Sequence, residues 1–394
     1  MGRYHSYLRT AEQLLVQYRG AGPFASFLKK FFGQHKKYGS TDRKQIAHLC
    51  YCYFRLGKAG LNLPIDERIL LGLFLSSTES SELLEHLKPE WNQNSSLNTT
   101  DKISLIGHPF SISDIFPWEE DLSNGIEPEA FILSHLRQPD LFLRLRPGYE
   151  EVVKEKLQDA KTSFQIVGDA CLALPNGTDI KNLIALDKEA VIQDYSSQRI
   201  KEFMQPDVLA LDRTKTWKVW DCCAGSGGKT ILLTDVHADN QLTLSDVRDS
   251  VFHKITERLG RAGIHDWQFL KEDLTKKPGE FIANYGGFHL IIADVPCTGS
   301  GTWSRTPECI QFFKKDTIKI FVEKQKKIIS NVIPCLRKRE GFFLYITCSV
   351  FKKENEGIAE FIKEKFHLEL IRMELLKGYD KKADTLFVAL LKYK

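Results

Sequence analysis

The chain has no uninterrupted apolar run of membrane-spanning length, so it lacks the sequence signature of a transmembrane helix. Its polar start, Met1-Gly-Arg-Tyr-His5, has no apolar h-region, and no secretory signal is expected. A strong charge imbalance is also missing. The net charge is +4, and bulk charge alone therefore does not mark a nucleic-acid protein. There is no internal repeat and no long low-complexity segment. The nine cysteines form no pairing framework: their number is odd, their placement uneven, and the chain of 394 residues is large. Reduced thiols in the cytoplasm are the expectation. Cys50 and Cys52 have neither a second cysteine pair nor a histidine cluster beside them, so no metal site is expected. What is present is a soluble globular composition, 42% hydrophobic and 27% charged, with length for two or three domains.

Charge is unevenly distributed. The first sixty residues carry Arg3, Arg9, Arg19, Lys29, Lys30, Lys36, Lys37, Arg43, Lys44, Arg55 and Lys58 against Glu12 and Asp42. This basic block is interleaved with Tyr38, Tyr51, Tyr53 and Phe54 and is a candidate to follow a phosphate backbone, or else a solvated helical face. Acids such as Glu79, Glu82, Glu119 and Asp121 dominate the next eighty residues. Residues 1–137 read as a helical domain, with helices expected at Ser6–Arg19, Pro23–Phe32, Thr41–Leu56 and Pro64–Leu75. Ser40 or Thr41 with Asp42 starts the third, and Asn92–Thr100 reads as a loop. Residues 138–204 read as a small α/β platform. Its strands are expected at Leu141–Arg146, Phe164–Leu174 and Ala190–Tyr195, with helices at Tyr149–Ala160 and Asp179–Ile184. Arg144 and Arg146 alternate on its first strand as candidate RNA contacts.

Residues 205–394 alternate strand and helix. Strands are expected at Lys218–Cys222, Leu242–Asp246, Gln268–Asp273, Phe288–Ala293 and Gly341–Ile346, with Leu368–Met373 and Thr385–Leu391 closing the series. Such alternation implies a mostly parallel, seven-stranded Rossmann-like α/β sheet with helices on both faces. Two of its stretches carry chemistry. Asp294-Val-Pro-Cys297-Thr-Gly-Ser-Gly301 follows one strand, and Ile346-Thr-Cys348-Ser349 follows another. If those strands are adjacent and parallel, both thiols sit at the sheet edge where open α/β folds bind ligands.

Asp221-Cys-Cys223-Ala224-Gly225-Ser226-Gly227-Gly228-Lys229-Thr230 occupies the first strand-to-helix turn. A Walker A loop would need glycine where Cys223 stands, and a dinucleotide fingerprint would need it at Thr230. The glycines still permit close backbone approach to a ligand. Asp246 and Asp273 end the next two strands, placed to accept hydrogen bonds from a ribose and an adenine amino group. Acids and backbone amides without an anion cradle favour S-adenosylmethionine over NAD or ATP.

These motifs resemble those of the Nop/Sun, RsmB-like RNA (cytosine-5) methyltransferases. The carrying residues are Asp221–Thr230, Asp294–Gly301, Thr347-Cys348-Ser349, Gln193–Gln198 and Leu386–Leu390. The resemblance covers roughly residues 140–394, and Cys223-Ala-Gly-Ser-Gly-Gly-Lys229 departs from the commoner C-A-A-P-G-G-K. Ser40–Ile46 and Tyr53-Phe-Arg55 resemble that branch's helical RNA-binding domain only faintly. The resemblance implies a methyltransferase domain and methylation of cytosine C5 in RNA, with ribosomal RNA as substrate. Transfer RNA, or a non-catalytic role in ribosome assembly, is the alternative. A thiolate adds to C6, which makes C5 nucleophilic toward the methyl sulfonium. A carboxyl group, Asp294, holds the base. Spacing does not decide which thiol attacks; the resemblance assigns attack to Cys348 and assistance in product release to Cys297. Lys229 is expected to pair with Asp294 or approach the base. The cofactor residues implied are Cys223 through Lys229, Asp246, Asp273 and Asp294. The protein is expected to be a cytoplasmic monomer with no membrane partner. Arg305, Lys314 and Lys315 are further candidates for phosphate contact.

Overall fold

The computed structural model describes residues 2–107, 110–209, 215–283 and 285–393. It divides into two compact units. One comprises residues 1–122, 126–138 and 302–315, and the other residues 123–125, 139–301 and 316–394. No helix among the described residues is long and apolar enough to cross a membrane.

The first unit is helical. Helices Arg3–Gln17, Phe24–Gln34, Ser40–Arg55 and Ile65–Ser76 lie within a few residues of the ranges their apolar spacing predicts. The third begins at Ser40 because the Asp42 carboxylate accepts the Gly39 N–H at 2.9 Å. Asn92–Thr100 is only partly loop, since Pro89–Gln93 and Thr99–Ser104 are helical. Tyr18, Phe24 and Phe54 pack edge to face at centroid separations of 4.9 to 5.9 Å, and Phe312 joins Tyr18 at 5.4 Å. Phe312 comes from residues 302–315, a stretch the sequence places in the 205–394 domain. Apolar Phe312 inserts into this aromatic cluster, while Glu308 Oε1 accepts the Phe24 N–H at 3.1 Å. Arg55 is not part of a basic surface. It is buried, and its guanidinium donates to the carbonyls of His135 and Arg137 at 2.8 and 2.9 Å. Lys315 is likewise paired, at 2.7 Å from Glu120 and 2.6 Å from Asp121.

In the second unit, strands β1 (Leu141–Leu145), β2 (Gln165–Gly168), β3 (Cys171–Leu174) and β4 (Ala190–Ile192) form an antiparallel sheet in the order β2-β3-β1-β4. The single strand expected over 164–174 is a hairpin that reverses at Asp169-Ala170. Residues 179–184 form turns instead of the expected helix. Arg144 and Arg146 do not face solvent. Arg144 is 4% exposed, and both guanidinia bind the Asp235 carboxylate, Arg146 at 2.8 Å. A buried carboxylate needs such pairing, and the two arginines serve it rather than RNA.

The larger sheet contains β5 (Trp217–Asp221), β6 (Asn240–Asp246), β7 (Trp267–Lys271), β8 (Leu290–Asp294), β9 (Phe342–Thr347), β10 (Leu368–Leu376) and β11 (Leu386–Tyr393). Its order is β10-β11-β9-β8-β5-β6-β7, parallel except where β11 pairs with β9 and β10. Both faces are covered, which explains why the strands read as near-continuous apolar runs. Along β9, Phe342, Leu344 and Ile346 pack with Ile231 and Ile255 of the helices Gly228–Val236 and Asp249–Arg261. Phe343 and Tyr345 pack with Ile328 and Ile362 of the helices Asp316–Val332 and Glu356–Phe366. The strand order switches between the parallel neighbours β5 and β8, with β6 and β7 laid on one side and β8 and β9 on the other, and the crevice at their carboxyl ends holds the candidate site.

Candidate active site

The glycine turn after β5 is built by its neighbours. Cys222 N–H donates to Ile292 O at 2.9 Å, and Ala224 N–H donates to Ser245 O at 2.9 Å. Gly227 has φ +80° and abuts Ile255, where an added Cβ would lie 2.9 Å from a side-chain carbon. Only glycine tolerates both conditions. Asp221 closes the turn from below. It is 2% exposed, its Oδ2 accepts the Thr230 hydroxyl at 2.7 Å, and its Oδ1 has no partner among the described residues. Burial, reinforced by the charges of Asp294 and Asp246, pushes its carboxyl up to about 7.

A cavity of about 540 Å³ lies over the ends of β5, β6, β7 and β8. Cys223, Gly225, Asp246, Asp273, Asp294, Cys297 and Cys348 all line it. Ala224, Ser226, Gly227, Gly228 and Lys229 do not. Ala224 is buried in the turn, Ser226 receives the Arg258 guanidinium at 2.8 Å, and Gly228 opens the following helix. Lys229 instead reaches Asp294, with Nζ 3.0 Å from Oδ2. Burial alone would lower the lysine, but Asp294 outweighs it and the ammonium is held above its ordinary value. The charge of Cys348 adds to that effect.

The acids of β6 and β7 differ. Asp246 is buried, and its oxygens accept Gly225 N–H at 3.2 Å together with the Arg248 amide and guanidinium at 2.9 Å. Burial opposes ionisation of Asp246, yet those donors keep its carboxyl below the usual range. Asp273 is half-exposed and accepts the Thr275 hydroxyl and amide at 2.6 and 3.1 Å, which holds it low as well. Between the acids the wall is apolar, from Val247, Leu274 and Ile328. Acids at successive strand ends with an apolar slot between them fit a nucleoside that carries no phosphate.

Strands β8 and β9 are adjacent and parallel, with Asp294 opposite Ile346. Their cysteines meet: Cys297 Sγ lies 3.3 Å from Cys348 Sγ. The hydrogen bond to Cys348, followed by burial and nearby negative charge, pushes the Cys297 thiol well up. The loop after Cys297 is pinned to the loop after Cys348, with Gly301 N–H donating to Cys348 O at 2.8 Å.

Three participants were not singled out from sequence. Glu354 is fully buried and accepts Thr298 N–H at 3.0 Å, the Thr298 and Ser349 hydroxyls at 2.6 Å each, and Gln325 Nε2 at 3.0 Å. Asn355 accepts the Thr347 hydroxyl at 2.6 Å and donates to Ser349 O at 2.9 Å, bracketing Cys348. Arg248 covers Asp246. The available signal was an acid-amide pair, Glu354-Asn355, ahead of a helix, which in sequence reads as an ordinary helix start.

Residues 208–389 match the profile of the family described as 16S rRNA methyltransferase RsmB/F. A ribosomal RNA small subunit methyltransferase B from Photorhabdus laumondii is 27% identical over 243 residues, covering 60% of this chain and 54% of the relative. The chain thus spans about half the length of that curated relative. The crystal structure of PH0851 is similar in fold over 99% of this chain and 98% of its own, with a TM-score of 0.67 and 18% identity. A methyltransferase homolog protein from Pyrococcus horikoshii aligns with a TM-score of 0.57 and 21% identity, over 75% of this chain and 98% of its own.

Proposed function

We propose that the protein methylates cytosine C5 in ribosomal RNA through a covalent bond from Cys348 to C6, a reading supported by the match of residues 208–389 to the 16S rRNA methyltransferase RsmB/F family. The observation that carries this reading is the pair of thiols 3.3 Å apart, lining one cavity with Asp294 and the strand-end acids. S-adenosylmethionine, the expected cofactor, supplies a methyl group on a sulfonium centre. Asp246 and Asp273 are the residues to hold its ribose and adenine. Arg248, 63% exposed, can release Asp246 to a diol at little packing cost.

A thiolate at Cys348 attacks C6 and makes C5 nucleophilic. Cys297 is the group that retains its proton, because its neighbour and burial raise it; its S–H is in reach of Cys348. The Asp294 carboxylate, oriented by Lys229, faces the cavity to accept the exocyclic-amine N–H of the base. After transfer, solvent water as base takes the C5 proton, its electron pair closes the C5=C6 bond, and the Cys348–C6 bond breaks by elimination, with the Cys297 S–H giving its proton to the departing thiolate. The target base must leave its stack to reach these groups.

The test is trapping. Cys348→Ala is expected to abolish transfer to small-subunit ribosomal RNA, while Cys297→Ala accumulates a protein–RNA adduct stable on denaturing gels. An adduct that accumulates in Cys348→Ala instead would reverse the two roles. Unchanged 5-methylcytidine in ribosomal RNA from cells lacking the protein would refute the activity.

A further inference from the structure

We propose that Glu354 is the positioning residue of the two thiols, a buried clasp that fixes the loop after β8 against the loop after β9 and so sets the sulfur–sulfur distance. Its partners are the residues directly following each cysteine. Thr298 follows Cys297 and Ser349 follows Cys348, and one oxygen, Oε2, receives both hydroxyls at 2.6 Å. The other oxygen, Oε1, accepts the Thr298 amide at 3.0 Å and Gln325 Nε2 at 3.0 Å. Gln325 is itself fully buried and donates to Pro296 O at 3.1 Å, gripping the same loop on the other side of Cys297. Four donors converge on a carboxylate with no solvent exposure, and three of them come from the cysteine loops. A buried acid is retained at such a place only if its hydrogen bonds are fully made. Loss of the clasp leaves the cysteine loops joined through Gly301 N–H, through Ser300, and through the weaker 3.2 Å contacts of the Thr298 hydroxyl with Ser349 and Ser300.

The role assigned to the thiols rests on the methyltransferase reading, but the clasp does not, and it can be tested without RNA or methyl donor. Diamide takes two electrons and two protons from two nearby thiols, becoming its hydrazine and leaving one S–S bond. The rate of Cys297–Cys348 bond formation, followed by peptide mass mapping, reports how well the sulfurs are held together. Glu354→Gln keeps the shape and can still bond Thr298 and Ser349, so its rate is expected to match wild type within experimental error. Glu354→Ala is expected to slow the reaction at least tenfold while its circular dichroism stays native. Thr298→Val, which removes the hydroxyl's bonds to Glu354, Ser349 and Ser300 at a half-buried site, should slow it at least about threefold and decides the matter if Glu354→Ala does not fold. Wild-type rates in folded Glu354→Ala, or in Thr298→Val, would overturn the proposal. If the clasp behaves as expected and no methyl transfer is found, the functional reading fails alone.

Discussion

Asp221 is a fully buried acid whose ionisation weighs on the fold around the site. An aspartate in an unfolded chain titrates near 3.9, whereas here burial raises it to about 7. The native state therefore binds this proton more tightly than the unfolded state. Its contribution to stability is complete below the unfolded value and declines as pH rises toward 7. Asp221→Asn keeps the contact with Thr230 and removes the titration. The variant should match wild type near pH 4 and become more stable by up to about 4 kcal/mol near pH 8, as read by urea denaturation across that range. A constant difference between the two proteins over the same range would show that Asp221 stays ionised. The arginines give the opposite lesson at this scale. Arg144 and Arg146 alternate along β1 as a solvent stripe would, but alternation identifies a face without saying what covers it. Asp235, ninety residues downstream, is what covers it.

At the scale of elements, Gly301 shows how tightly the site loop is set against the sheet. A Cβ there would fall 1.9 Å from Thr385 O and 3.0 Å from Cys348 O. Both contacts are backbone, so neither can swing aside. Gly301→Ala should cost at least about 3 kcal/mol in chemical denaturation, and it should also displace the start of β11. Gly260→Ala, at a glycine that likewise has no positive φ but has nothing within 4 Å among the described residues, provides the control free of such contacts. Most strands were legible because burial on both faces leaves long β-branched and aromatic runs bounded by glycine and acids. The crevice was legible for the same reason: every strand ending on Asp or Cys delivers that residue to one edge. The clasp was not legible, since Glu354 acquires its meaning from Thr298 and Gln325, which lie far from it in sequence. The β2–β3 hairpin had a signal in Gly168-Asp169, but the apolar run continues on both sides of it and reads as one strand. The Asp179–Ile184 turns were mistaken for a helix because so short a stretch cannot establish a period.

For the molecule as a whole, the informative segment is 302–315, which leaves the sheet unit and supplies Glu308 and Phe312 to the helical one. Composition cannot reveal such an exchange, because it changes neither periodicity nor charge. It does change how RNA binding should be tested. Removing residues 1–60 would strip Leu14, Phe24, Leu28 and Phe54 from the helical core, so lost binding would report unfolding. Arg55 belongs to that core too. Lys29, Lys30, Lys36 and Lys37 are different: all four are exposed, on the helix Phe24–Gln34 or just after it. Replacing them together with glutamine should leave the unfolding midpoint within experimental error, since exposed positions carry little packing. If they contact phosphates, binding to small-subunit ribosomal RNA should weaken most at low salt and approach wild type as salt rises. The slope of log affinity against log salt should fall by up to about 3, at roughly 0.7 per phosphate contact on single strands. Parallel salt plots for the two proteins would place the RNA elsewhere and leave this block as a solvated helical face.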